Sequence, residues 1–358
     1  MSDGMKVGLV LSGGGAKGAY QVGVLRALRE LGTQIDAVSG ASIGALNGGV
    51  LASAPSLDVG IARLEELWGR LAERSPIDLK LPSYLSLLVS AGLKMYGVGA
   101  VDVIVRASRT AAQHYGYEVP EAFSALDGGL LCDGQLQSLM DEYLQPENLA
   151  TGLPLYISIY KSLGGLNDLA AALRAELGFA DTPDSDFVHI QSQPPKQQKD
   201  ILLASAAIPL LFAPRQTNGS LYSDGGQGGW QTMQGNTPIT PLIEAGCNLI
   251  IVTHLSNGSP WSRQDFPNAT IVEIRPQESL SRAAGPLGGS RDLLGFDSEK
   301  IPSWIEQGYR DTMHCMNRVM AAGKSRHNLR QSEALLAEGE KSNASADKAL
   351  ADVMAQLK

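Results

Sequence analysis

The first 53 residues alternate between short apolar runs that end at glycine or serine and longer segments with helical periodicity. Residues 6–12 (KVGLVLS) and 35–39 (IDAVS) are short and apolar, which predicts buried strands. Helices are predicted over about 16–31 and 43–53. The first of them carries an apolar stripe at helical spacing, formed by Val22, Leu25, Ala27, Leu28 and Leu31. A strand–helix–strand–helix order predicts crossover connections and a mostly parallel sheet, and therefore an α/β fold.

The rest of the chain contains further short strands and several helical segments. Strands are predicted at 154–160, 249–255 and 270–274, and helices at 133–144, 200–212 and 330–358. Residues 76–126 and 162–200 are interpreted as insertions.

Within the first insertion, the mostly apolar segment 81–105 predicts a core helix pair or a lid over a lipid site. The second insertion is polar and predicts loops with little core. Residues 1–330 are expected to form one domain, followed by an amphipathic C-terminal helix that docks on that domain or on a second subunit.

Composition excludes several classes of protein. The net charge of −8 provides no basic field for DNA or RNA. Three scattered cysteines and five scattered histidines show no disulfide or metal spacing, so no metal and no cofactor are expected. No apolar stretch of about 18 residues is present, so no membrane span is expected. Cytoplasmic localisation is the default expectation.

A G-x-S-x-G motif follows the second predicted strand, at residues 40–44 (GASIG). Between a strand and a helix, this pattern places serine on a sharp turn that exposes its hydroxyl. Gly40 and Gly44 permit the close backbone approaches that such a turn requires. Ser42 is therefore the candidate nucleophile.

A glycine-rich loop, GGGAKG at residues 13–18, follows the first predicted strand. Adjacent glycines leave backbone N–H groups uncovered, so Gly13, Gly14 and Gly15 are candidates for an oxyanion or phosphate cradle. Lys17 would add a positive charge near a lipid head group, and Gly18 completes the motif. The same letters also match the dinucleotide-binding pattern G-x-G-x-x-G, a dehydrogenase alternative that needs an acidic residue at the end of the second strand. Asp36 lies too early in that strand.

Asp224, Gly225 and Gly226 follow a short run, LYS at 221–223. A carboxylate before two glycines on a tight turn can approach a serine hydroxyl closely, so Asp224 is the candidate general base. Asp127 begins the same three letters without a preceding strand and is the weaker candidate. His254 ends a predicted strand later in the chain, which leaves open a Ser–Asp–His triad of an esterase of another class. A binding protein without catalysis is the remaining alternative.

These three motifs, in this order, resemble the patatin-like phospholipase family. Residues 204–209 (ASAAIP) and 236–238 (NTP) are similar to segments on either side of that family's base. The resemblance covers roughly residues 5–255. It implies a three-layer α/β/α fold with a mostly parallel sheet, and hydrolysis of fatty-acyl esters of membrane phospholipids. It also implies a Ser42–Asp224 dyad, with the oxyanion held by the glycine loop.

A narrower resemblance rests on the chain length, the segment 162–200 and the helical tail with Trp304 and Tyr309. These features are similar to the bacterial anti-phage (CBASS) patatin phospholipases that cyclic dinucleotides activate. The resemblance implies a cyclic dinucleotide activator and action at the inner membrane surface. No residue of the sequence indicates where such a ligand binds.

Overall fold

A mixed sheet with flanking helices forms the centre of the protein. The computed structural model describes residues 4–73, 134–176, 179–209, 212–217, 219–259, 261–280, 296 and 298–356. Its strands are β1 (Val7–Leu11), β2 (Ala37–Gly40), β3 (Leu155–Lys161), β4 (Asp186–His189), β5 (Arg215–Thr217), β6 (Ser220–Asp224), β7 (Leu249–Thr253) and β8 (Thr270–Ile274). Its helices are α1 (Ala19–Glu30), α2 (Ile43–Ala52), α3 (Leu57–Glu73), α4 (Gly134–Tyr143), α5 (Pro146–Leu149), α6 (Gly165–Glu176), α7 (Pro195–Ser205), α8 (Thr240–Glu244) and α9 (Lys300–Gln356).

The strand order is β5-β6-β3-β2-β1-β7-β8, and β4 also pairs with β3. The five strands from β3 to β8 along this order are parallel, whereas β4, β5 and β6 pair antiparallel. This arrangement confirms the predicted α/β fold with a mostly parallel sheet. The predicted strand at 35–39 begins two residues later than expected, because Asp36 instead accepts the N–H of Val7 at 2.7 Å.

Helix α2 lies deepest in the protein, and all ten of its residues are buried. Its glycines allow this depth. A β-carbon at Gly48 would lie 3.1 Å from the side chain of Leu155, and one at Gly49 would lie 2.9 Å from that of Leu202. The close fit fixes the helix between the sheet and α7, so the residue that precedes it is held rigidly.

The expectation of a loop-rich insertion at 162–200 is wrong. This segment contains α6, β4 and the start of α7, and β4 joins the central sheet. Polar groups of this segment form hydrogen bonds with one another inside the protein. The buried carboxylate of Asp168 accepts the Ser162 hydroxyl at 2.5 Å and the Leu163 N–H at 2.9 Å. Polar residues that hydrogen-bond to one another can be buried, so composition alone did not distinguish this segment from a surface loop.

The chain divides into two compact units, Met1–Thr312 and Met313–Lys358. In the second unit the predicted apolar stripe is exposed, with Leu350 at 64% and Val353 at 53%. The segment 81–105, Asp127 and the first residue of the helix predicted at 133–144 lie outside the described residues. Within the described part of the chain, no helix has the length and apolar character needed to cross a membrane.

Candidate active site

The strand register places the sequence motifs at one edge of the sheet. Leu11 of β1 pairs with Gly40 of β2, so the loops that follow these two strands leave the sheet side by side. Gly40 pairs with Ile157 of β3, and Asp224 of β6 pairs with Ile159. Asp224 therefore lies two residues beyond Gly40 in the direction of β3. Ser42 is also two residues beyond Gly40, so Asp224 and Ser42 lie at the same level. The strand β3 separates the two residues, and the turn at Ser42 reaches across it.

Ser42 occupies a strained backbone conformation, with φ 53° and ψ −126°. Positive φ in a residue with a β-carbon costs on the order of 1–3 kcal/mol and persists only where the surroundings enforce it. Here the neighbouring glycines do so. A β-carbon at Gly40 would lie 2.5 Å from the carbonyl oxygen of Gly44, so the two ends of the turn approach more closely than other residues allow. Residues 40–44 therefore form the sharp turn that the motif predicts, with the candidate nucleophile Ser42 at its centre.

The hydroxyl of Ser42 donates to Oδ2 of Asp224 at 2.6 Å. This length is typical of a hydrogen bond from a hydroxyl to a carboxylate. Both side chains are largely buried, at 7% and 8% exposure. The structure thus brings together the two residues that were predicted from separate motifs 182 positions apart.

Burial raises the pKa of Asp224 to about 6, although hydrogen bonds from Ser42 and from the Gly226 N–H act in the opposite direction. A carboxylate in water has a pKa near 4, so Asp224 is a stronger base than an exposed aspartate. Near neutral pH it remains ionised. The carboxylate can therefore accept a proton from Ser42 at physiological pH.

The two glycines after Asp224 have distinct steric roles. A β-carbon at Gly225 would lie 2.0 Å from the carbonyl oxygen of Ser158, so only glycine fits against β3 there. The N–H of Gly226 donates to Oδ1 of Asp224 at 2.8 Å and fixes the carboxylate orientation. The turn leaves Oδ2 directed at Ser42.

The glycine loop lies beside the nucleophile. A β-carbon at Gly13 would lie 3.0 Å from Cβ of Ser42, and one at Gly14 would lie 2.8 Å from the side chain of Leu255. Gly15 adopts a left-handed conformation with φ 59°. The N–H of Gly13 donates to the carbonyl oxygen of Asn236 at 3.3 Å. The N–H groups of Gly14 and Gly15 have no acceptor among the described residues, so these two are the freer donors.

A buried polar network behind the loop was missed from the sequence. The side chain of Asn47 donates to Gly18 O at 3.1 Å and to Gln21 Oε1 at 2.9 Å. Gln21 in turn donates to Ser12 O at 2.7 Å, and the Trp68 indole donates to Asn47 Oδ1 at 3.0 Å. Both ends of the glycine loop are thereby anchored to α1, α2 and α3. The sequence indicates this network by one amide side chain on each of two otherwise apolar helix faces, Gln21 in α1 and Asn47 in α2.

Lys17 is half-buried at the end of this loop, in the 3-10 turn Gly15–Gly18. A β-carbon at Gly18 would lie 2.5 Å from the Ile43 side chain, which explains the last glycine of the motif. The dinucleotide alternative is not supported, because Asp36 precedes β2 and binds the Val7 backbone instead of ending the strand.

His254 does not complete a triad. Its ring is buried and lies 3.3 Å from Oε2 of Glu273, a distance that allows an ionic contact but without hydrogen-bond alignment. Burial lowers the pKa of His254, whereas the close approach of His254 and the hydrogen bonds from the Arg275 guanidinium hold the pKa of Glu273 at about 2. In the described residues, no hydrogen bond joins His254 to Ser42 or Asp224.

A small apolar cavity borders Ile43, the residue after the nucleophile. It lies among α2, α3 and α4, and its walls are almost entirely apolar. The lining residues are Ile43, Leu46, Asn47, Val50, Leu67, Leu71, Leu136, Leu139, Met140 and Phe296. Within the described ranges, no group of three histidine, cysteine or acidic side chains is placed to bind a metal ion.

Comparison with known proteins gives short matches to curated relatives. The chain is 46% identical to lysophospholipase NTE1 of Mycosarcoma maydis over 81 residues, which is 22% of this chain and 4% of that protein. It is 62% identical to a patatin-like phospholipase domain-containing protein of Caenorhabditis elegans over 52 residues, which is 14% of this chain and 4% of that protein. The chain thus matches only a small part of these much longer relatives.

Among solved structures, the match to VipD from Legionella pneumophila covers 88% of this chain and 67% of the VipD chain, with 15% identity and a TM-score of 0.36. Residues 9–243, more than half of the chain, match the family described as Patatin-like phospholipase. This region contains the elbow, the glycine loop and the aspartate turn. The chain belongs to the patatin-like phospholipase family.

Proposed function

We propose that this protein hydrolyses fatty-acyl esters of phospholipids with Ser42 and Asp224 as its catalytic pair. The observation that supports the proposal most directly is the 2.6 Å hydrogen bond between the strained nucleophile and the buried carboxylate. A serine hydroxyl is a weak nucleophile unless an adjacent base removes its proton. Asp224 is the adjacent base, and it accepts that proton without a histidine.

In the first step, Ser42 Oγ attacks the ester carbonyl carbon while its proton moves to Asp224 Oδ2. The carbonyl oxygen becomes an oxyanion, which the N–H groups of the glycine loop stabilise. Gly14 and Gly15 are the preferred donors, and Gly13 contributes to the shape of the cradle. A donor of this kind lowers the barrier by about 3–4 kcal/mol.

The tetrahedral intermediate then collapses. The ester C–O bond breaks, the proton on Asp224 passes to the departing alcohol, and the acyl group stays on Ser42. Water attacks the acyl carbon of this acyl-enzyme while Asp224 again accepts a proton. The bond between the acyl carbon and Ser42 Oγ then breaks, Asp224 returns the proton to Ser42 Oγ, and the fatty acid departs. Every proton is transferred by one carboxylate, so the pH dependence of both steps reports on Asp224.

Two features support a lipid substrate. The apolar cavity is lined by Ile43, which follows Ser42 in the sequence, and its apolar walls suit an acyl chain. Lys17 lies in the adjacent loop, where a cation would meet an anionic head group. Two relatives that match 81 and 82 residues of this chain are named lysophospholipases.

Activation by a cyclic dinucleotide and a role in anti-phage defence at the inner membrane surface are further proposals, which rest on the narrower sequence resemblance alone. The tail aromatics named there have other contacts. Trp304 is buried, and Tyr309 donates to Glu30 at 2.8 Å and lies under Arg26. Any nucleotide site must therefore use other residues or rearrange these contacts.

The decisive experiment measures fatty-acid release from phospholipid and lysophospholipid vesicles by the purified protein, with and without a panel of cyclic dinucleotides. Activity that disappears in both Ser42→Ala and Asp224→Asn supports the dyad. Equal activity in the wild type and in Ser42→Ala contradicts it. Activity that is unchanged across the whole nucleotide panel removes the activation proposal and leaves the hydrolase proposal intact.

A further inference from the structure

The small-residue segment that ends α7 contacts both halves of the proposed dyad. The hydroxyl of Ser205 accepts the N–H of Ser42 at 3.0 Å. Two residues later, the carbonyl oxygen of Ala207 accepts the N–H of Asp224 at 2.9 Å. One short segment therefore holds the Ser42 peptide, through the Ser205 hydroxyl, and the Asp224 peptide, through the Ala207 carbonyl oxygen.

The Ser205 hydroxyl has a second partner in the strand between the two residues. It donates to the carbonyl oxygen of Ser158 on β3 at 2.7 Å. The hydroxyl of Ser158 in turn donates to the carbonyl oxygen of Gly225 at 3.1 Å, directly after the base. A continuous hydrogen-bonded chain thus runs from the Ser42 peptide through Ser205 and Ser158 to the aspartate turn.

The two serines that link the ends of this chain are inaccessible to water. Ser205 and Ser158 are both fully buried. Leaving a buried N–H without an acceptor is costly, so the strained peptide of Ser42 has a strong preference for the orientation that meets Ser205.

We propose that Ser205 is a positioning residue, whose hydroxyl holds the Ser42 peptide against β3 and thereby keeps Ser42 Oγ within hydrogen-bond reach of Asp224. The proposal rests on the proposed hydrolase function. It also explains why the segment is made of small residues: Ala206 and Ala207 are buried where the backbone passes between the elbow and the aspartate turn.

The test compares Ser205→Ala with a matched control, Ser53→Ala. Ser53 is also fully buried, and its hydroxyl donates to the carbonyl oxygen of Val50 within α2, away from the elbow. Both substitutions remove one buried hydroxyl. A displacement of reacting groups by about 1 Å costs roughly a hundredfold in rate. We expect Ser205→Ala to lose kcat on this scale with KM nearly unchanged, and Ser53→Ala to keep the wild-type kcat.

Two further readouts separate positioning from general destabilisation. Loss of the Ser42 hydrogen bond removes an interaction that lowers the pKa of Asp224, so the acidic limb of the pH–rate profile moves to higher pH in Ser205→Ala. Ser205→Thr keeps a hydroxyl and is expected to recover much of the kcat. If Ser205→Ala does not fold, Ser205→Cys, with similar volume and weak hydrogen bonding, replaces it as the loss variant.

The outcomes distinguish this proposal from the hydrolase proposal. A wild type that hydrolyses no ester, or a Ser42→Ala variant that remains active, overturns the hydrolase proposal. An active wild type whose Ser205→Ala and Ser205→Cys variants match Ser53→Ala in kcat and pH profile overturns the role of Ser205 alone. If no ester is cleaved, hydrogen exchange of the Ser42 amide still decides, since faster exchange in Ser205→Ala supports the role and unchanged exchange refutes it.

Discussion

Gly44 lies directly against the backbone of Leu11: a β-carbon at Gly44 would lie 2.0 Å from the Leu11 carbonyl oxygen. The first turn of α2 thereby contacts the end of β1, and the nucleophile at the start of α2 is brought beside the glycine loop. This contact joins two of the motifs that were identified separately in the sequence. It also explains why the second glycine of G-x-S-x-G is required by packing as well as by the turn.

Gly44→Ala is expected to disrupt the elbow, because the added methyl group would overlap the Leu11 backbone, which cannot move away without breaking the β1–β2 pairing. We expect a large fall in the thermal unfolding midpoint and loss of ester hydrolysis. Gly69→Ala is the matched control. No atom lies within 4 Å of a β-carbon at Gly69 in α3, and alanine is favoured over glycine in helices by about 0.5–1 kcal/mol. A Gly44→Ala protein as stable and active as Gly69→Ala would contradict the packing argument.

The acidic limb of the pH–rate profile should report on Asp224. Because burial raises its pKa to about 6, the carboxylate is protonated below this pH and cannot act as a base. We expect kcat/KM to fall tenfold per pH unit below about pH 6 and to level off above it. The measurement is initial-rate hydrolysis of a soluble ester between pH 4 and 9. A midpoint near 4, as for an exposed aspartate, would show that the free enzyme does not use a buried carboxylate.

Asp224→Asn is expected to abolish hydrolysis and to stabilise the fold. The pKa of Asp224 is raised from 3.8 unfolded to about 6 folded, so folding favours its protonated form. Its contribution to stability is fully present below about pH 4 and is lost as pH rises through about 6. A shift of about two units corresponds to roughly 3 kcal/mol.

The amide can keep both contacts of the carboxylate, since its oxygen can accept the Gly226 N–H and its nitrogen can donate to Ser42. We therefore expect the stability gain of Asp224→Asn to be near zero below pH 4 and largest above pH 7. Urea unfolding at pH 4 and pH 8 measures this difference. An equal change in the free energy of unfolding at both pH values would show that burial does not destabilise the ionised Asp224 carboxylate.

His254→Ala distinguishes the dyad from a triad. A general base contributes about 10²–10⁴-fold to the rate, so a catalytic histidine would cause a loss of that size. His254 contacts Glu273, and its ring lies 5.5 Å from that of Trp261 at a tilt of 54°, so we expect lower stability but an activity close to that of the wild type in the folded fraction. Steady-state kinetics below the melting temperature, with Ser42→Ala as the inactive reference, checks this expectation.

Asn47→Leu tests the network behind the glycine loop. The substitution leaves the Trp68 indole N–H, Gln21 Oε1 and the Gly18 carbonyl oxygen without the partner that Asn47 provides. Each buried group without a hydrogen bond costs about 1–3 kcal/mol. We expect destabilisation by at least about 3 kcal/mol, measured by urea unfolding. Asn167→Leu at an exposed site of α6 is the control and should change stability by less than about 0.5 kcal/mol. Similar losses in both variants would contradict a role for the network.

The sequence alone determined the elements that depend on neighbours along the chain. Hydrophobic runs of strand length and the helical stripe of α1 are local patterns, and they predicted β1, β3, β7 and β8 within about two residues. The glycines around Ser42 and after Asp224 were informative for the same reason, because a tight turn constrains the residues that form it. The candidate nucleophile and the candidate base were therefore identified before any contact between them was known.

The tertiary structure alone decided how these parts meet. Asp224 reaches the level of Ser42 because β6 runs antiparallel to β3, and no local pattern records the register of strands that are distant in sequence. For the same reason, the sequence did not predict the buried positions of Ser205, Asn47 and Asp168, because polar residues are more often exposed. Burial of a polar side chain depends on the partners that satisfy it, and those partners come from remote segments of the chain.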